Sequence, residues 1–119
     1  MRLQHVSLTI PEGAQERARS FYGGLLGLSE RDVPPKLDAA RLIWFRVGEP
    51  DLELHLMIGE NPVLDRGHLC LAVDDVAALR RRIEEAGVET RDATEIVGRP
   101  RFFCHDPFGN LVELTTIVA

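Results

Sequence analysis

The stretch Arg101–Thr116, RFFCHDPFGNLVELTT, decides how this chain is read. An apolar run, Phe102, Phe103 and Cys104, meets Asp106, Pro107, Phe108, Gly109 and Asn110, and a second run of strand-forming residues follows from Leu111 to Thr116. Turn-forming residues between two such runs predict strand, turn, strand. Side chains alternate along a strand, so Leu111, Glu113 and Thr115 share one face and Val112, Leu114 and Thr116 the other. Glu113 is thereby a carboxylate fixed in a rigid sheet, which is costly unless a cation or a hydrogen-bond donor meets it.

The stretch has an earlier counterpart. RLIWFRVGEPDLEL, Arg41 to Leu54, falls on RFFCHDPFGNLVEL, Arg101 to Leu114, at an offset of 60 residues. Arg41 then matches Arg101, the trio Leu42, Ile43, Trp44 matches Phe102, Phe103, Cys104, and Glu53 matches Glu113. Leu26-Gly27-Leu28 falls on Ala86-Gly87-Val88 at the same offset, whereas His5, Leu8 and Ile10 fall on His68, Leu71 and Val73 at an offset of 63. The slip of three is expected inside a helical segment that is longer in the first copy. An ordered series of this kind predicts a duplicated module, and repeats set the architecture before any local reading does.

Working outward, Leu3–Ile10 alternates, with Val6, Leu8 and Ile10 opposite His5, Ser7 and Thr9, the pattern of a half-buried strand. Pro11 to Gly13 breaks it and opens a helix with a stripe of Ala14, Ala18, Phe21, Tyr22 and Leu25, closed by Gly27. A short strand and an irregular loop fill Ser29–Ala40, followed by strands over Leu42–Val47 and Leu52–Ile58 joined by a turn at Gly48–Asp51. In the last of these Leu52, Leu54 and Leu56 oppose Glu53 and His55. GENPVLDRG, residues 59–67, has linker composition and divides a first module (1–58) from a second (68–119) within one domain, 1–119. In the second, His68–Val73 alternates again, Asp74 or Asp75 caps a helix carrying Val76, Leu79, Ile83 and Ala86, and Gly87 ends it. A weak strand over Glu89–Val97 leads into the opening stretch. Each module is thus β-α-β-β-β, and the expected class is α+β: two modules forming a curved mixed sheet around a cleft, with helices on the outer face.

The 119 residues suffice for one compact unit or two half-domains sharing a core. Hydrophobic content of 45% with 28% charged residues is ordinary for a globular protein. A formal net charge of -5 is the wrong sign for a nucleic-acid or anionic-membrane partner. No apolar run approaches the roughly 20 residues that cross a bilayer, and MRLQHVSLTI has no signal-peptide pattern, so a cytoplasmic location is expected. Cys70 and Cys104 lack C-x-x-C spacing and are expected to be buried, reduced thiols.

His5, Glu53, His68 and Glu113 lie opposite the apolar faces of their strands at matching places in the two copies. Two imidazoles and two carboxylates suit a divalent first-row ion, Ni, Co, Zn, Mn or Fe, with positions left for water or substrate. His55 shares the face of Glu53, so either is a candidate for the remaining ligand. Arg41 and Arg101 read as surface charges, with anchoring of an anionic substrate group as the other reading. His105 reads as a residue flanking the turn. Trp44, Phe45, Phe102 and Phe103 read as core, or as an aromatic wall to a small-molecule site.

LQHVSLTI, the helix end RSFYGGLLGL, LELHLMIG, GHLCLAVDD and DPFGNLVEL together resemble the vicinal oxygen chelate superfamily, which includes glyoxalase I, methylmalonyl-CoA epimerase, fosfomycin-resistance proteins, extradiol dioxygenases and bleomycin-resistance proteins. The resemblance spans essentially the whole chain. It implies metal ligands at His5, His68 and Glu113 with a further one at Glu53 or His55, and a small-molecule substrate bound through two neighbouring oxygens. Glu113 or Glu53 would then be the base of an isomerase, epimerase or lyase. The same resemblance leaves open thiol or water addition to an epoxide antibiotic, extradiol dioxygenation, and metal-free drug binding. It also implies a homodimer. The insertions of longer glyoxalases are absent, which counts against glutathione as the substrate's handle.

Overall fold

Among the described residues, eight strands form where alternation and strand-forming side chains place them. The computed structural model describes residues 1–60 and 67–118. The chain divides into two units, Met1–Pro62 and Val63–Ala119. Of the expected linker, residues 61–66 lie outside the described residues.

The first unit runs β1 (His5–Ile10), a helical segment, β2 (Ser29–Arg31), β3 (Leu42–Gly48) and β4 (Leu52–Ile58), with a 3-10 turn at Ala39–Arg41 before β3. Its sheet has the order β1-β4-β3-β2. β1 is parallel to β4, and β3 is antiparallel to both its neighbours. The second unit repeats this with β5 (His68–Ala72), α2 (Val76–Glu85), β6 (Thr90–Asp92), β7 (Arg101–His105) and β8 (Leu111–Thr115), in the order β5-β8-β7-β6. The β-α-β-β-β reading of each module therefore holds, in an α+β fold of two mixed four-stranded sheets.

Alternation puts one face of each sheet in an apolar core. Ile10, Ile43, Phe45, Leu54 and Leu56 are buried in the first unit together with Ala14, Ala18, Phe21 and Tyr22 of the helical stripe. Tyr22 lies against Phe45, ring centroids 6.1 Å apart. In the second unit Leu71, Phe102, Cys104, Val112 and Leu114 are buried with Val76 and Ile83 of α2. Arg80 of α2 lays its guanidinium 5.3 Å from the centre of the Phe102 ring and ties down β6 through Thr90 and Asp92. Leu25 and Leu79 of the expected stripes are half-buried and Ala86 is exposed.

The helices differ in kind. The first begins as α1 (Gln15–Ala18) and continues as a π-helix over Arg19–Leu25, its widened turn closed by the Leu26 N–H donating to the Phe21 carbonyl at 2.9 Å. It starts at Ala14 without a side-chain cap, whereas Asp75 caps α2 by accepting from the Ala78 N–H at 3.0 Å. Both helical segments end at a glycine in the left-handed region, Gly27 at φ 78° and Gly87 at φ 85°, where a side chain would be strained. The three-residue slip between the copies is only partly helical. The helical segment, residues 15–25 against 76–85, is one residue longer in the first copy. Of the other two, one lies in the strand, six residues in β1 against five in β5, and one in the turn, Pro11–Ala14 against residues 73–75.

Candidate functional site

The polar face of the first sheet is built as a row across four strands. Arg31 on β2 is in register with Trp44 on β3, and Trp44 with His55 on β4. His5 on β1 is in register with Glu53, two residues before His55 on the same face. The aromatic members stack: Trp44 lies on His55 with centroids 3.8 Å apart and 3° between planes, and His55 lies on His5 at 4.2 Å and 17°. Arg31 completes the row, 5.7 Å from the centre of the Trp44 ring.

Glu53 is 6% exposed and ringed by donors. His55 Nε2 donates to its Oε1 at 3.0 Å, Gln4 Nε2 reaches the same oxygen at 3.4 Å, and Arg31 holds Oε2. Burial opposes ionisation of this carboxyl, but the hydrogen bonds from His55, Arg31 and Gln4 outweigh it and hold the group below the usual carboxylate range. Gln4 also sets the tautomer of His5. Its Oε1 accepts from His5 Nδ1 at 2.7 Å, so the ring proton sits on Nδ1 and a neutral His5 presents a bare Nε2.

In the second sheet Phe103 on β7 is in register with Glu113 on β8, and Cys70 on β5 stands across from Glu113. Glu113 is buried. His68 Nε2 donates to its Oε1 at 2.9 Å and Arg101 Nη1 to its Oε2 at 3.1 Å. Arg101 is not the surface charge expected of it: its side chain is 16% exposed, and Nη2 also donates to the Thr94 carbonyl at 2.8 Å. A buried carboxylate draws in a cation, and Arg101 is two residues from Phe103 on the face that looks at Glu113. Arg41, its counterpart in the repeat, instead reaches the Ile58 carbonyl from an exposed position.

The two histidines matched by the repeat do not sit alike. His5 is directly across from Glu53, while His68 is in register with Leu111, two residues before Glu113. A shift of two keeps the face and changes the neighbour, so His68 bonds its carboxylate and His5 does not. Among the expected ligands the structure joins His55 to Glu53 and His68 to Glu113, and links His5 to Glu53 through Gln4. Among the described residues, no three His, Cys, Asp or Glu side chains are gathered into a metal-sized group. The donors fit a divalent ion in kind, since imidazoles and ionised carboxylates are its natural ligands and Glu53 is held in its ionised form.

Other expectations resolve simply. Phe45 and Phe102 are core, whereas Trp44 and Phe103 are half-buried on the polar faces. His105 is exposed at the end of β7, and the turn after it is organised by buried Asp106, whose Oδ1 accepts from the Phe108 and Asn110 N–H groups. Both cysteines are free, but only Cys104 is buried. Cys70 is exposed because it alternates with Leu69 and Leu71 onto the polar face. Its thiol is pushed up to about 11 by partial burial and then by the neighbouring Glu113. Arg31 and Gln4, which hold Glu53, were not foreseen.

The model of the Glyoxalase/Bleomycin resistance protein/Dioxygenase superfamily matches residues 2–114. The chain is 30% identical to an ethylmalonyl-CoA/methylmalonyl-CoA epimerase of Cereibacter sphaeroides, over 98% of both chains. Among solved structures it resembles a glyoxalase family protein from Bacillus anthracis, with a TM-score of 0.89, 29% identity, and 98% of this chain and 95% of that one covered. It also resembles an antibiotic-binding protein from a Streptomyces species, with a TM-score of 0.78, 26% identity, and coverage of 98% and 96%.

Proposed function

The chain belongs to the glyoxalase/bleomycin resistance protein/dioxygenase superfamily, and on that premise we propose that it is a metal-dependent enzyme that moves a proton at the carbon beside a substrate carbonyl, with Glu113 as the base. The observation that carries this reading is the unequal treatment of the two carboxylates. Glu53 is saturated by three donors and held below the usual range, which makes it a weak base. Glu113 is held by His68 on one oxygen and Arg101 on the other, with the exposed Cys70 thiol as a further, weaker donor and half-buried Phe103 beside it.

We assign His5, Glu53, His68 and Glu113 as the residues that would hold a divalent ion, Ni, Co, Zn, Mn or Fe, with Glu113 released by the substrate when it acts as the base, and His55 as the residue that orients Glu53. Such an ion supplies Lewis-acid polarisation of two neighbouring substrate oxygens, which makes the adjacent C–H more acidic. The protein's own part is the movement of the proton. Arg101 anchors Glu113 through Oε2, leaving Oε1 to exchange its bond from His68 for the substrate proton. The C–H bond breaks, its electron pair stays with the substrate as an enolate, and Glu113 holds the proton. Return of that proton to the neighbouring carbon gives an isomer. Return to the opposite face of the same carbon gives an epimer and needs a second carrier, a role assigned to Glu53, whose lowered pKa suits it to giving up a proton rather than to taking one. The epimerase among the relatives supports the second outcome, with an acyl thioester as substrate.

The test is deuterium exchange at the α-carbon of methylmalonyl-CoA in D2O, followed by proton NMR with the protein loaded in turn with each ion. Exchange should depend on a divalent ion, and His5→Ala should raise the ion concentration required by roughly tenfold or more. Glu113→Gln should slow exchange by roughly 10²–10⁴-fold, the usual contribution of a general base. Undiminished exchange in Glu113→Gln would remove Glu113 as the base. A second reading, sequestration of a flat antibiotic, is favoured by the stacked rings of Trp44, His55 and His5 and by the antibiotic-binding relative. Tight binding of such a compound without any exchange at full metal loading would select it.

A further inference from the structure

A pocket of about 270 Å3 opens in the second unit, lined by Glu89, Thr90, Arg91, Phe103, Cys104 and His105. Strand register explains its composition. Arg91 is paired with Phe103 and Phe103 with Glu113, so the three stand in one row across β6, β7 and β8. At the usual strand spacing the Cα atoms of Arg91 and Glu113 are roughly 10 Å apart. The Arg91 guanidinium lies 5.6 Å from the centre of the Phe103 ring, and the Arg101 guanidinium is equally distant from the same ring.

These two cations are not equivalent. Arg101 is bonded to Glu113 and to the Thr94 carbonyl. Arg91, among the described residues, makes its contact with Phe103 and no hydrogen bond or ion pair. Its counterpart at the repeat spacing of 60 is Arg31, which is taken up by Glu53. Because Glu113 is met by β7 rather than by the outer strand, the outer-strand arginine is left with its fork of donors open. The pocket's other ionisable residues are Glu89 and His105. Glu89 lies two residues before Arg91 on the same face, and among the described residues its carboxylate makes no ion pair with Arg91 or with His105.

We infer that this pocket is a subsite for an oxyanionic group of the substrate, a carboxylate or a phosphate, received by the Arg91 guanidinium over the apolar floor of Phe103. A planar guanidinium matches either group with two parallel hydrogen bonds, and a ring beneath it fixes its orientation. The inference rests on Glu113 being the base in one respect only, which is the distance it sets: the substrate carries its oxyanion about one to two strand spacings from the carbon that loses its proton.

The experiment is an amide NMR titration of the full chain with inorganic phosphate and, separately, with succinate, at constant ionic strength set by sodium chloride. Saturable shifts centred on Arg91, Phe103 and His105 are expected. Arg91→Gln should weaken the better of the two probes at least about tenfold, and Arg91→Lys should recover part of the loss by restoring charge without the fork. Preference for phosphate or for succinate identifies which oxyanion the subsite takes. Equal affinity in Arg91→Gln, shifts centred elsewhere, or no saturable shift with either probe would overturn the inference. Glu113→Gln separates it from the catalytic reading. Probe binding that depends on Arg91 while exchange survives in Glu113→Gln keeps the subsite and rejects the base. Lost exchange with no probe binding rejects the subsite alone.

Discussion

In the first module the buried carboxylate is met from the edge of its sheet, by Arg31 on β2, while in the second it is met from the adjacent strand, by Arg101 on β7. The histidines differ in the same way: Glu53 takes its imidazole bond from His55 on its own strand, and Glu113 from His68 on the neighbouring one. Beneath these faces the apolar sides correspond in strand register rather than at the spacing of 60, with buried Phe45 paired to Leu54 and buried Phe102 paired to Leu114. Duplication supplies two equivalent frames because a frame needs only shape and hydrophobicity. Polar partners depend on single long side chains, so one position's change reroutes a bond without disturbing the sheet.

Equivalence of the frames is exposed to a direct test. Phe45 and Phe102 are each 1% exposed, and truncating a buried Phe to Ala costs roughly 3–5 kcal/mol. Phe45→Ala and Phe102→Ala should lower stability in urea unfolding by amounts that agree within about 1 kcal/mol, given the context dependence of such sites. A difference above about 2 kcal/mol would show that one frame bears the fold for both.

Alkaline pH should separate the modules, because both cysteines belong to the second. Burial, then the charge of Asp106, pushes the Cys104 thiol from 9.0 up to about 11. In the unfolded chain the thiol ionises first, so the stability it confers is complete below pH 9 and is lost as pH rises toward 11. The loss is at most about 2–3 kcal/mol at one pKa unit per 1.36 kcal/mol. Unfolding measured at intervals across this range should show the decline, and Cys104→Ala should reduce its slope, leaving the part due to Cys70, whose thiol is also raised. An unchanged slope in that variant would assign the decline to other groups.

A smaller effect distinguishes the helix starts. Asp75→Ala removes the side-chain cap of α2 and should cost about 1 kcal/mol, read as a shift of the urea midpoint at constant slope. The first helix has no such cap to lose, because Ala14 stands in that place. A loss of under roughly 0.3 kcal/mol would mean that the bond from the Val76 N–H to Thr116 Oγ1 already holds the start of α2.

Period-two alternation made the strands legible, and with them the faces carrying His5, Glu53, His68 and Glu113. Gly27 and Gly87 announced the helix ends. Alternation assigns a face and leaves the neighbour open, so the shift of two that brings His68 to Glu113 and sets His5 beside Gln4 had no signature in the spacing. Arg31 escaped notice for a related reason. It sits on a three-residue exposed strand and finds Glu53 22 residues away, a pairing that only the assembled sheet creates. The π-helix over Arg19–Leu25 was hidden as well, because the spacing of apolar residues reports which side chains are buried and not which backbone carbonyl each N–H reaches.

The flat contact between Trp44 and His55 also has an optical consequence. Trp44 is the chain's only tryptophan, and its indole lies against an imidazole whose Nε2 is bonded to Glu53. Indole emission responds to the polarity and charge of whatever touches the ring, so any event that turns His55, protonates it or pulls Glu53 away alters the fluorescence of the native chain. The first module thus carries a built-in gauge of its own carboxylate, read without labelling, while the second module, lacking an indole, stays dark.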